Sequence, residues 1–538
     1  MRNTLLQNRS AEKQKLDGVR AGAPSSPMMR SNLYSSMQGK RDLVLDAPVL
    51  LDRPSKTVCT PTRQSFDLDK LGQAIFSSEQ NIFVTGGGGV GKTRLLQVLT
   101  QLFKCARRGN KAGLGVLAPT GVAAAVAGGV TLHAFLRLRA NCFNHRLTEG
   151  ENAANIYSSM NTRTKQRLAT TDMLLLDEAL MVPSRMFSTL VHCMRASRLE
   201  YKRARPWRMI AFGDFFQLPA VYDMENEDVL FDPEASYASE SPSWDELFCG
   251  KVLDLKYVWH QWDAEFIDML SELRIGVVSA ALVALIKERQ EQYKIAAARP
   301  GGLSSDVTHI FPRTEEVRRH NTKCLSQAEA AKGSTRVKFE AVDRALCGDL
   351  SDLELHAALD RALLAPKVLE LCVGARVAMC GNSLKRKGIF SRTVGVVIGF
   401  DVVPPRPDGR LAKIPIVSFS TVTSGTVSCA VTVEWMQLES VQRDGPFAER
   451  VQVPLMLAWA VTVHRAQRLS LDRAVLHRAC CFTAGMVYVT LSRIRSMSGV
   501  YVMSFDKNKV MADPTVRAFY ERQKSLSGLF TECLTSSA

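Results

Sequence analysis

Gly86, Gly91, Lys92 and Thr93 fall at the spacing G-x-x-x-x-G-K-T inside the stretch FVTGGGGVGKTRLLQVL, which begins at Phe83. Glycines at this spacing let backbone N–H groups curl around phosphate oxygens, and a helix N-terminus adds its partial positive charge. The loop Gly86, Gly87, Gly88, Gly89, Val90 and Gly91 would therefore hold the phosphates of a nucleoside triphosphate such as ATP. Lys92 would reach the β- and γ-phosphates, and the Thr93 hydroxyl would ligate Mg2+. Asp177 and Glu178 close a second apolar run, MLLLDEA. Two adjacent carboxylates after a phosphate loop predict a division of labour: Asp177 on the magnesium ion, Glu178 polarising the attacking water. Gln217, in GDFFQLPAV, is a neutral donor and acceptor placed to sense the γ-phosphate.

These groups need a scaffold that brings them to one edge. NIFVT (81–85), GVLAPT (115–120), MLLLDEA (173–179) and RMIAFGDF (208–215) read as apolar strands. Between them, Leu95, Val98, Leu99 and Leu102 recur at helical spacing, and GVAAAVA follows the second strand as an Ala-rich helix. Apolar strands alternating with helices predict a parallel sheet covered on both faces. A second group, LAWAVTV (457–463), RAVLH (473–477), VYVTLS (487–492) and GVYVMSF (499–505), reads as further short strands, so two α/β units are expected.

Composition sets the bounds. A chain of 538 residues is too long for one core and predicts two to four domains. Its net charge of +16, from 69 Lys and Arg against 53 Asp and Glu, favours a polyanionic partner, nucleic acid before a membrane surface. Thirteen cysteines form no CxxC pair, and only Cys480 and Cys481 are adjacent, which predicts a reducing compartment. The longest apolar run, GVVSAALVALI from Gly276, is too short to cross a bilayer as a helix. Residues 1–56 carry ten basic and five acidic side chains and are rich in Ser, Met and Arg. They read as a disordered lead-in or an organelle-import segment, with the mitochondrion as the expected destination and the nucleus as the alternative.

Taken in order, the motifs TGGGGVGKT, APTGVAAAVAGGVTLHAFL, LLLDEALM, GDFFQLPAV, AEFIDMLSELRIG, APKVLELCVGARVAM, PLMLAWAVTVHRAQRLSLD, YVTLSRIRSMSGV and DPTVRAFY resemble those of the petite-integration-frequency (Pif) helicases, in the RecD-like branch of superfamily 1, across about residues 75 to 520. The resemblance implies an α/β fold of two RecA-like P-loop NTPase domains with parallel sheets, plus a small SH3-like β insertion. The implied division is a first motor domain over 57–230, with a small strand-separating insertion near 136–168. A second motor domain would cover 231–390 and 451–538, and the SH3-like insertion 391–450. It implies an ATP- and Mg2+-dependent 5′-to-3′ DNA helicase of replication, recombination or repair, monomeric and acting on single-stranded and forked DNA. Arg493 becomes the arginine finger that the second domain brings to the γ-phosphate. Pro119, Thr120, His133, Phe135, Thr462, His464, Tyr488 and Ser492 become DNA contacts, Phe135 by stacking on bases.

The chain also departs from the family pattern. His260 in WHQWD stands where an arginine is expected at the γ-phosphate, and an imidazole lacks both the charge at neutral pH and the guanidinium fork. Ala466 and Arg468 in HRAQR replace Ser and Gly, Leu180 replaces Ser, Met486 replaces Gln, and Ser391-Arg392 stands for Asn-Gly. Gln73 is the candidate for the glutamine that reads adenine. A second reading follows from these departures: a degenerate paralogue that binds nucleotide and DNA, unwinds poorly, and acts as a scaffold or regulator.

Overall fold

The computed structural model describes residues 67–524, apart from the segments 107–112, 139–141, 145, 204–205, 219–236, 300–301, 304–305, 347–350, 382–383, 385–386, 388, 390, 404–411, 422–426, 435, 443–444, 468 and 478–483. The expectations for residues 1–56, Cys480, Cys481 and Arg468 lie outside the described residues, as does the end of GDFFQLPAV.

Six parallel strands form the first sheet, in the spatial order Val130–Thr131, Gly113–Ala118, Thr171–Leu176, Arg208–Phe212, Ile82–Thr85, Val252–Asp254. The strands Thr171–Leu176, Arg208–Phe212 and Ile82–Thr85 are consecutive neighbours. Their carboxyl ends lead directly into Asp177, Gly213-Asp214 and the glycine loop. The inner strand Ile82–Thr85 is buried along its whole length, the pattern of a parallel strand covered on both faces. On one face the helix Lys92–Ala106 buries Leu95, Leu96, Val98, Leu99 and Phe103. On the other, Phe83 joins Phe187, Phe215, Trp244 and Phe248 in an aromatic core, with Phe83 and Trp244 edge-on at 5.0 Å between ring centres.

The second sheet is also parallel, in the order Ala460–Thr462, Thr308–Phe311, Ala474–Leu476, Val500–Val502. The protein is thus α/β with two RecA-like domains. A β-rich region is inserted between the strands Thr308–Phe311 and Ala460–Thr462 of the second sheet. Strands Val427–Thr432, Ala412–Thr421, Val394–Val403, Arg376–Met379 and Leu455–Leu457 form an antiparallel sheet, and Met436–Gln442, Gly445–Gln452 and Val342–Ala345 form another.

Four features differ from the linear reading. VYVTLS is a helix, Met486–Leu491, with every residue buried. A short apolar run with no exposed face carries no period by which a strand and a buried helical turn can be told apart. The first sheet draws its edge strand, Val252–Asp254, from beyond residue 230. The helix at 514–524 returns to the first domain, where Val516 and Phe519 enter the core around Phe83. The helices Glu149–Ser158 and Thr162–Thr170, within or just past the expected insertion, pack Ile156 and Leu168 into that same core.

Candidate nucleotide site

The glycine loop is shaped by positions that only glycine tolerates. Gly86, Gly89 and Gly91 have φ of 133°, 80° and 92°. A Cβ on Gly86 would come within 2.4 Å of the Leu255 carbonyl oxygen. Lys92 opens the following helix and donates its ammonium to the carbonyls of Gly86, at 2.5 Å, and Gly87, at 2.8 Å. Burial lowers its pKa, opposed by the nearby Asp214 and Glu178 carboxylates.

The second domain closes over this loop. The Tyr488 hydroxyl accepts a hydrogen bond from the Gly88 amide at 2.7 Å. A Cβ built on Gly88 would meet an Arg493 guanidinium nitrogen at 2.6 Å and the Ser492 side chain at 3.3 Å. Arg493, only 8% exposed, is held there by bonds from its Nε to the Val489 carbonyl, at 3.0 Å, and from its Nη2 to the Ser492 hydroxyl, at 2.7 Å. The helix Met486–Leu491 therefore delivers a guanidinium to the face of the loop that Lys92 underlies.

Asp177 is buried at the end of its strand, and Glu178 takes a left-handed backbone with φ 52° and ψ 48°. A non-glycine residue in that region costs about 1 kcal/mol or more, strain of the kind stored at functional sites. Thr93 is half-buried in the first helical turn. Thr93 and Asp177 are the oxygen donors that could take a hard cation beside a bound phosphate.

Two residues not singled out from the motifs complete the centre. Asp214, fully buried, accepts from the Arg274 Nη2 at 2.8 Å and Nε at 3.1 Å, and from the Gln217 amide at 3.2 Å. Burial pushes the Asp214 carboxyl up, but Arg274, Lys92 and Gln217 together outweigh it and the net shift is downward. Burial opposes the charge on Arg274 in turn, and Asp214 raises its pKa above the ordinary value. Arg274 also lies over the rings of Phe216, at 5.1 Å, and Tyr520, at 5.5 Å. Gln217 is thus held by the loop's own carboxylate, and that carboxylate is held by the second domain. The signal was present in GDFFQ and LSELRIG, as charges at the ends of apolar elements, but their pairing spans 60 residues.

His260 packs its Cβ where a side chain on Gly89 would stand, and its Nε2 is 2.6 Å from the Ser470 hydroxyl. Burial, helped by Arg493, lowers its pKa to about 4, so the ring is neutral at pH 7. Its neighbour Trp259 donates its amide to the Gly89 carbonyl at 2.9 Å and lays its indole 3.5 Å from where a Gly91 Cβ would be. Trp259 is half exposed, an aromatic surface beside the loop that the motif reading passed over. Gln73 lies exposed on the helix Leu68–Ser77.

The expected DNA contacts separate into two sets. Thr120 is exposed and caps the helix Gly121–Ala127, with Pro119 half-buried before it. Thr462 caps the short helix Val463–Ala466, which carries a half-buried His464 whose pKa is lowered by burial. His133 is half-buried in the helix Leu132–Leu136, its pKa lowered to about 4 by burial. Tyr488 and Ser492 belong instead to the glycine-loop contact described above. Phe135 is corrected outright: it is 4% exposed, packs in the first core beneath Gly115, and receives Arg167 over its ring at 5.0 Å. An aromatic already covered on both faces has none left for a base. Three departures are also core positions: Leu180, Ala466 and Met486 are at most 1% exposed, so their apolar side chains fill the interior.

Residues 62–282 match the model of the PIF1-like helicase family. The ATP-dependent DNA helicase PIF1 of Mus musculus is 31% identical over 460 residues, covering 84% of this chain and 62% of the mouse protein. The Homo sapiens PIF1 helicase is likewise 31% identical, with 83% and 62% coverage. The crystal structure of Pif1 helicase from Candida albicans superposes with a TM-score of 0.64 at 27% identity, covering 84% of this chain and 98% of that one. Residues 62–282 of this chain are a PIF1-like helicase region. The chain spans a little under two thirds of the length of the mouse and human relatives. Within the family frame, the glycine loop, Asp177, Glu178, Gln217 and Arg493 all converge on one cleft between the RecA-like domains. His260 sits in that cleft too, without a charge.

Proposed function

We propose that this chain is an ATP-dependent DNA helicase that steps 5′ to 3′ along single-stranded DNA. The observation that carries this reading is the Arg493 guanidinium, delivered by the second domain to Gly88 of the loop that begins in the first. A nucleotide gripped from both sides can change the separation of two domains when it is hydrolysed. Lys92 would exchange its two carbonyl partners for β- and γ-phosphate oxygens. Thr93 and Asp177 would hold Mg2+, which would screen the phosphate charge. Glu178 and Gln217 would orient the attacking water, and Arg493 would stabilise charge on the transferring phosphoryl group. The exposed Thr120, with Pro119, and the capped helix bearing His464 would carry the strand across the top of the two sheets. The relatives are named ATP-dependent DNA helicases, and solved neighbours are described with ADP-AlF4, with single-stranded DNA and at forked DNA, which supports the same substrates here.

ATP hydrolysis measured with and without single-stranded DNA tests this. Wild type is expected to hydrolyse and to be stimulated, and Lys92→Ala to fall to background. Equal, near-background rates for both proteins would overturn the enzyme reading.

The neutral His260 favours a second reading, a nucleotide- and DNA-binding protein with weak hydrolysis. One missing charge-stabilising donor costs about a hundredfold in rate. His260→Arg is therefore expected to raise hydrolysis by at least about tenfold, since an added guanidinium recovers part of that term. An unchanged rate would show that the cleft has no use for a cation at this position.

A further inference from the structure

Two of the family departures, Ser391-Arg392 and HRAQR, meet in space. Arg392 lies in the turn between the strands Arg376–Met379 and Val394–Val403 of the β-rich region, with its amide bonded to the Met379 carbonyl at 2.7 Å. Its φ is 71°, a left-handed conformation that glycine takes without cost and arginine does not. From there its Nη1 donates to the carbonyls of Arg465, at 2.8 Å, and Gln467, at 2.7 Å. These carbonyls lie at the C-terminal end of the helix Val463–Ala466, where backbone acceptors have no helical partner and a cation is favoured. The same helix is held at its other end by the Thr462 hydroxyl.

This helix begins a strip that reaches the nucleotide loop. It packs against the helix Met486–Leu491, whose Tyr488 bonds Gly88. Leu471 exchanges backbone bonds with Arg493 and Arg495, at 2.9 and 3.1 Å, and Ser470 bonds His260 beside Gly89. One short stretch thus touches the β-rich region at its start and both sides of the nucleotide cleft at its end.

We propose that Arg392 is a positioning residue that fixes the C-terminal end of the His464 helix from the β-rich region, so that strand contact there is transmitted to Arg493 and His260. The transmission rests on the DNA-dependent hydrolysis proposed above, whereas the brace itself does not. A strained backbone retained with both hydrogen bonds made implies that the side chain does something glycine cannot.

The test uses the full chain as wild type, Arg392→Gly and Arg392→Lys. Glycine relieves the backbone, so the melting temperature of Arg392→Gly is expected to stay level or rise, the opposite of a structural loss. Its amides at 463–472 are expected to exchange with deuterium about tenfold faster, and the oligonucleotide concentration giving half-maximal ATPase stimulation to rise about tenfold, the scale of losing charge-assisted bonds. Hydrolysis without DNA should not change. An ammonium can also donate to two carbonyls, so Arg392→Lys should bring both readouts back to within about threefold of wild type. Unchanged exchange at 463–472 in Arg392→Gly overturns the brace, and faster exchange with unchanged DNA stimulation overturns the transmission. A wild type indifferent to DNA would defeat the helicase reading instead, while the exchange measurement still decides the brace.

Discussion

Arg493→Ala is expected to lower DNA-stimulated ATP hydrolysis by about a thousandfold, the lower end of what an arginine finger contributes to phosphoryl transfer. The residue is nine-tenths buried, and a Gly88 side chain would collide with its guanidinium. The fold aims this second-domain cation at the rim of the glycine loop while its Nε is anchored on a carbonyl of the preceding helix. A charge fixed in that way acts in a site of low dielectric and needs no reorganisation as the phosphoryl group transfers. Nucleotide binding should survive, because Lys92 and the loop amides remain, so the loss should fall on kcat. Arg493→Lys is expected to recover little, since an ammonium has no planar fork. Steady-state hydrolysis at saturating DNA checks this, and a rate within about tenfold of wild type would remove Arg493 from the chemistry.

Arg274→Met is expected to destabilise the protein by about 3–5 kcal/mol, the cost of leaving a buried charge without its partner. The Asp214 side chain is wholly buried and that of Arg274 is 17% exposed, so water replaces little of what is lost. Methionine keeps most of the volume beside the stacked Phe216 and Tyr520 rings, which isolates the charge from the packing. The pH dependence follows from the sign of the shift. The Asp214 carboxyl titrates below its ordinary value in the folded state, so the unfolded chain takes up the proton first. The stabilisation is therefore present above about pH 4, the unperturbed carboxylate value, and is lost as the pH falls through the lower folded value. Urea midpoints of wild type and Arg274→Met should differ clearly at pH 7 and converge under acid. A difference independent of pH would show that the pair adds nothing beyond its packing.

Hydrolysis should suffer in the same variant for a separate reason. Gln217 is oriented by Asp214, and Asp214 is held by an arginine from the second domain. Separation of the domains would break the ion pair and leave the carboxylate that holds Gln217 without its counter-charge. In the proposed mechanism that arrangement would tie the alignment of the attacking water to the closed cleft.

Much of the site was legible in the chain because its chemistry is local. The glycine loop, Lys92 and Thr93 occupy eight consecutive positions, and a strand–loop–helix in that order can fold only one way around a phosphate. Asp177, Glu178 and Gln217 each follow an apolar strand, and in a parallel sheet all such ends lie on one edge. Arg493 was reached only through the resemblance, since no spacing rule links residues about four hundred positions apart.

What the order of residues determined, then, is the edge: which side chains end strands, and that those strands lie parallel. Tertiary packing decided everything that depends on which two distant surfaces touch. It turned VYVTLS from an apparent strand into the buried helix that carries Tyr488 to the loop, and took Phe135 from an open surface into the core. It paired Asp214 with Arg274, and placed Arg392 on the carbonyls of a helix more than seventy residues away. A local pattern reports the period of burial but not the partner doing the burying, and a charge in sequence has no sign of its counter-charge until the chain has closed around both.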